Sequence, residues 1–80
     1  MVVFHLEKGA VIPLHQHTNE QIGMVLSGRI IMTIGGERSE LGSGDGYSIG
    51  PGEPHSVDIV EDSVVLDVFS PPRDDYRDRI

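Results

Sequence analysis

Ten glycines and five prolines cut this 80-residue chain into short apolar runs, and that punctuation limits its fold more than any other feature. No run carries apolar residues at helical spacing. Runs of roughly four to eight residues bounded by turn formers are the pattern of an all-β barrel or sandwich. The segments 2–6, 22–26, 29–34, 37–41, 47–49, 56–60 and 63–69 read as strands. Segment 11–17 reads as extended, with Pro13 placing it at an edge or bend, because proline has no N–H to give to a ladder. Gly35-Gly36 is a two-residue hairpin signal that supplies positive φ at both positions. The return strand 37–41 is mostly polar and therefore exposed. Segments 42–46 and 51–54 are turns, and the second delivers His55. Pro71-Pro72 ends the sheet, and 73–80 is mostly charged with room for a helical turn.

Eighty residues make one small domain, spanning 1–80. A core of that size is marginal alone, so a barrel completed by a second subunit, a homodimer, is expected. There is no cysteine, which removes disulfides, thiolate ligands and a cysteine nucleophile. No basic stretch followed by an apolar core opens the chain, and no apolar run approaches the roughly 20 residues of a membrane helix. A cytoplasmic protein with no membrane partner is the expectation. The formal charge of -7 and pI near 4.7 argue against nucleic acid as partner. They leave room for an anionic small molecule, because a metal and an arginine can make one pocket locally positive.

The chemistry concentrates in His15-Gln-His17, Gln21 and His55. His15 and His17 stand at i, i+2, so on an extended strand both rings leave the same face. Two such imidazoles can take neighbouring positions on one divalent metal, which residues at i, i+1 cannot. Gln21 adds an amide oxygen, and His55 arrives from another strand. Gln21 could instead orient a histidine, and Glu20 beside it is an alternative carboxylate ligand. Three imidazoles and an amide would leave the full charge on the metal, which favours Lewis-acid work. His5 lies outside the cluster and reads as strand surface. The sequence leaves the facing of Arg29 and Met32 open.

The strand 63–69 has two faces at period 2: Val65, Asp67 and Phe69 on one, Val64, Leu66 and Val68 on the other. Both are otherwise apolar, so burial on both sides is expected. Asp67 is then a carboxylate in apolar surroundings, which pairs, binds a metal or carries a raised pKa suited to proton transfer. A structural bond to Arg73 or to backbone amides is the alternative. Arg73 is placed to hold a substrate carboxylate bidentately, or to pair with Asp74 or Asp75.

The stretch Gly9-x5-His15-x-His17-x3-Gln21-x6-Gly28 resembles the first cupin motif, and Gly44-x5-Gly50-Pro51-Gly52-x2-His55 the second. Three positions depart from the pattern: Gln21 replaces the usual Glu, Gly50 the usual Pro, and Ile59 the usual Asn. The resemblance implies a cupin-like double-stranded β-helix, a jelly-roll barrel. Gln21 with the tail Asp67-Val-Phe69-Ser-Pro-Pro-Arg73-Asp-Asp-Tyr76 looks like the small cupins of pectin and alginate degradation, which turn 4,5-unsaturated uronates into linear keto sugars. That likeness implies His15, His17, Gln21 and His55 as ligands of a divalent metal (nickel, zinc, iron or manganese). It implies Asp67 as the proton-transfer residue, and Phe69 and Arg73 as contacts to a sugar-acid substrate. The chain begins shortly before the first motif, so the expectation is that a second subunit supplies the missing pocket wall or that the activity is lost. Two other functions fit the same scaffold: a non-haem metal dioxygenase, and a non-catalytic small-molecule-binding cupin.

Overall fold

The computed structural model describes residues 1–70. It contains eight strands: β1 (Val2–Leu6), β2 (Val11–His15), β3 (Glu20–Ser27), β4 (Arg29–Ile34), β5 (Glu37–Gly42), β6 (Gly46–Ile49), β7 (His55–Ile59) and β8 (Ser63–Ser70). They form two four-stranded sheets, ordered β1-β8-β3-β6 and β2-β7-β4-β5, and the strand pairings are antiparallel. This is the expected all-β jelly-roll barrel. No helix among the described residues is long and apolar enough to cross a membrane.

Alternation builds the interior. Along β3, Gln21, Gly23 and Val25 face inward while Ile22, Met24 and Leu26 face outward. Val25, Ile30, Met32, Ile49, Val57, Ile59 and Val65 close into one buried cluster from both sheets. Each fully buried side chain of this kind stabilises the fold by about 1.5–3 kcal/mol. Gly35 and Gly36 take φ of 56° and 85° in the β4–β5 hairpin, as their pairing in the sequence requires. The β5 strand is largely exposed, as its polarity implies.

Two expectations need correction. Segment 11–17 is not strand throughout: β2 ends at His15, and His17 lies in the link to β3. The cause is local. β2 is an edge strand, and its pairing with β7 shifts between Ile12 and His15, around Pro13. Beyond it, His17 is held by turn contacts instead of a ladder: the Gly52 N–H donates to its carbonyl at 2.6 Å. Second, β8 is buried on one face only. Val65, Asp67 and Phe69 are buried, whereas Val68 is 48% exposed. The apolar outer face of β8 continues across its neighbours, where Val3 pairs with Leu66, Leu66 with Met24, and Val68 with Ile22. Hydrophobicity on both faces of β8 therefore reflects a sheet face left open by the described residues.

Candidate metal centre and buried carboxylate

His15 ends β2 and sits opposite His55, the first residue of β7. His17 reaches them from the loop. The turn before His55 fixes this meeting: Pro51 and Gly52 occupy its central positions, Gly52 has φ of 72°, and Glu53 N–H donates to the Gly50 carbonyl at 3.2 Å. That is a type II turn, which asks for glycine at the third position. The same Gly52 then donates to His17, so one turn orients both histidines.

The ring centroids lie 5.9 Å (His15–His17), 4.1 Å (His15–His55) and 4.9 Å (His17–His55) apart. The three offer ligand atoms all within 4.8 Å of one another, a group that could hold a metal ion. Their hydrogen bonds favour that use. His15 Nδ1 donates to the Pro13 carbonyl at 2.8 Å, His17 Nδ1 to the Asn19 carbonyl at 2.9 Å, and His55 Nδ1 to the Glu53 carbonyl at 2.9 Å. A carbonyl oxygen only accepts, so each Nδ1 is the donor, which makes Nε2 the nitrogen that a metal would take. His17 Nε2 lies 3.1 Å from Gln21 Oε1. Where the ring is neutral with its proton on Nδ1, both atoms are acceptors, and a cation between them would be favourable. The donor set thus fits a divalent metal.

One residue row further into the barrel, Asp67 is 0% exposed. The Tyr47 hydroxyl donates to its Oδ1, and Oδ2 has no hydrogen-bond partner among the described residues. Burial pushes the Asp67 carboxyl up from the usual carboxylate range, against the Tyr47 hydroxyl and the Gln21 amide, which both pull it down. Burial, together with the Asp67 charge, also pushes the Tyr47 hydroxyl well above its ordinary range. A single cavity is lined by His15, Gln21, Tyr47, His55 and Asp67, with apolar walls from Ile12, Met32 and Val57.

A family model described as the cupin domain matches residues 2–69. The chain belongs to the cupin family. This cupin is 40% identical over 78 residues to the pectin degradation protein KdgF of Dickeya dadantii, covering 95% of this chain and 71% of that protein. The solved structure of KdgF from a Halomonas species superposes with a TM-score of 0.88 at 37% identity, over 92% of this chain and 69% of that one. H2HPP isomerase of Bacillus subtilis is 37% identical over 67 residues, which is 81% of this chain but 28% of that protein.

The cupin barrel brings most of the expected residues together. Phe69 is buried on β8, its ring 6.0 Å from that of His17 and nearly perpendicular to it. Gln21 faces inward, and Glu20, its neighbour on the strand, is exposed on the opposite side. His5 is exposed, as expected of strand surface. Met32 is in the core, while Arg29 is exposed and pairs with Glu40. Arg73 lies outside the described residues. Tyr47 is the residue that sequence reasoning missed. Its strand was recognised, but only the register of three strands brings it to Asp67.

Proposed function

We propose that this chain is a metal-dependent cupin that converts 4,5-unsaturated uronates, as released by polysaccharide lyases, into linear keto sugars. The observation that carries the reading is the pairing of two unlike centres: three histidines whose ligand atoms lie within 4.8 Å of one another, and a buried carboxylate, Asp67, that lines one cavity with His15 and His55. The likeness to KdgF over most of the chain supports it. His15, His17 and His55 would hold the metal, with the Gln21 amide oxygen as fourth donor. When bound, the metal would polarise substrate oxygens as a Lewis acid. Iron, nickel, zinc and manganese all accept such a set.

The chain's own residues do the rest. Opening the sugar ring gives an aldehyde and an enol, and the enol becomes a ketone by a proton shift to carbon. The product is an isomer of the substrate, so no oxidant is consumed. Asp67 would carry that proton, and its raised pKa suits a group that must both take and return one. Phe69 would wall the pocket beside His17. Arg73 would hold the uronate carboxylate.

Residues 1–80 are read as one cytoplasmic cupin domain that works as a homodimer. The exposed apolar face of the β1-β8-β3-β6 sheet, with Val3, Ile22, Met24, Leu26 and Val68, supports a second copy as its cover. The test of function is elemental assay of the purified protein, then incubation with lyase-generated unsaturated uronate without oxygen. Loss of the substrate's conjugated alkene absorbance under anaerobic conditions is expected. Turnover that needs oxygen would favour a dioxygenase, and tight binding without turnover a binding cupin.

A further inference from the structure

Tyr47, Gly23 and Asp67 occupy one row across three adjacent strands. Gly23 on β3 pairs with Tyr47 on β6 and with Asp67 on β8. Strands two places apart lie about 9.5 Å from one another, so side chains on them are normally separated by the residue between. Here the residue between has no side chain. A β-carbon at Gly23 would collide with Asp67 Oδ1 and with the ring and hydroxyl of Tyr47. Gly23 is not among the glycines with positive φ, so the backbone does not demand glycine at that point. Mid-strand glycine costs stability relative to a residue that packs. What the position does supply is the gap through which the Tyr47 hydroxyl reaches Asp67.

We propose that Tyr47 is a positioning residue, reaching across the gap at Gly23 to hold Oδ1 of Asp67 so that Oδ2 is the oxygen that exchanges a proton. What Asp67 does rests on the uronate reading above; how it is held does not. A purely structural buried carboxylate is expected to have both oxygens satisfied. Tyr47 donates to Oδ1 of Asp67, the Gln21 amide also favours the carboxylate, and Oδ2 has no hydrogen-bond partner among the described residues. The cavity that Asp67 and Tyr47 line is also lined by His15 and His55, so the held carboxylate and the histidine group share one space. A carboxylate free to swing would lose the geometry that proton transfer needs, and small misplacements are costly in rate.

The test uses the metal-loaded full chain and Tyr47→Phe, which keeps the ring and removes only the donor. Metal content and KM are expected to stay within about twofold while kcat falls roughly 10- to 100-fold. Gly23→Ala, where it folds, is expected to lower kcat in the same way by closing the gap from the other side. A second measurement needs neither metal nor turnover. Urea unfolding of the metal-free wild type, Tyr47→Phe, Asp67→Ala and the double variant is expected to be non-additive by about threefold or more in the unfolding constant. A wild-type chain that converts uronate beside a Tyr47→Phe variant of unchanged kcat overturns the positioning role and leaves the functional reading intact. Loss of metal, or a rise in KM alone, overturns it too. A wild-type chain inert toward uronate overturns the functional reading instead. The unfolding cycle then decides whether Tyr47 holds Asp67: non-additivity supports it, additivity overturns it.

Discussion

Replacing Asp67 with Asn is expected to stabilise the metal-free chain while abolishing uronate conversion. The carboxylate is 0% exposed, and its Oδ2 has no partner among the described residues. A buried polar group left unsatisfied costs about 1–3 kcal/mol, and more when charged. Asn keeps an acceptor oxygen for the Tyr47 hydroxyl and carries no charge. The Asn NH2 is no better partnered than Oδ2, so the gain at neutral pH is that of the lost charge, about 1.4 kcal/mol for each unit by which the pKa is raised, or roughly 5–10 °C in Tm per unit. The gain must depend on pH in a definite direction. The folded-state pKa of Asp67 is raised above its ordinary value of 3.8. Below that ordinary value the carboxyl is neutral in both the folded and unfolded states, and its burial carries no charge penalty. As pH rises through the ordinary value toward the raised one, the unfolded chain gives up a proton that the folded chain keeps, and wild type loses stability. The Asn variant is spared that loss, so its advantage should be small in acid and full at neutral pH. Circular-dichroism melts of chelator-treated proteins across that range measure it. An advantage that is absent at neutral pH, or equally large in acid, would refute the account of a strained buried charge. An Asn variant with wild-type turnover would remove Asp67 from proton transfer.

The metal centre and the outer sheet face give three further tests. His55→Ala is expected to lose stoichiometric metal by elemental assay and uronate conversion with it, because His55 is the ligand candidate buried deepest, at 2% exposure. Adding a divalent metal at about 100 times its Kd should stabilise wild type by about 2.7 kcal/mol in a thermal melt, and His17→Ala should show little of that rise. Ile22→Asp, on the outer face where Ile22 is 55% exposed, should leave the fold intact and shift the mass measured by light scattering from dimer to monomer. A wild type already monomeric at micromolar concentration would count against the covered-face argument.

Much of this site was legible before any coordinates. Period-2 alternation put Asp67 and Phe69 on the inner face of β8, and both are buried. Glycine pairs and Pro-Gly turns marked the β4–β5 hairpin and the turn before His55, since backbone conformation at those points is a local property of the residues. Long-range pairing was not legible. That His15 meets His55 depends on register between β2 and β7, and the shift between Ile12 and His15 cannot be counted from the sequence. Tyr47 was lost for the same reason. The misreading of β8 as buried on both faces has a different origin: an apolar pattern reports that a face avoids water, not whether its cover comes from the same chain.

The residues that break local rules sit together, and that clustering argues for function more strongly than any one of them. Gly23 interrupts a central strand, Asp67 is a carboxylate in the interior, and Gln21 is a buried amide held against His17. A chain of this length has only about 4–12 kcal/mol of net stability, so three such choices are a heavy burden on a core of seven buried apolar side chains. The two ends of the barrel divide the work. Val25, Val65, Ile30 and Ile59 pack the end that carries the fold, and the opposite end gathers the histidines, Gln21 and Phe69, with Tyr47 and Asp67 in the row between. A sequence shaped for stability alone would replace the Tyr47, Gly23 and Asp67 row with side chains that pack together and carry no buried charge. That it does not is the physical reason to look for chemistry in that row.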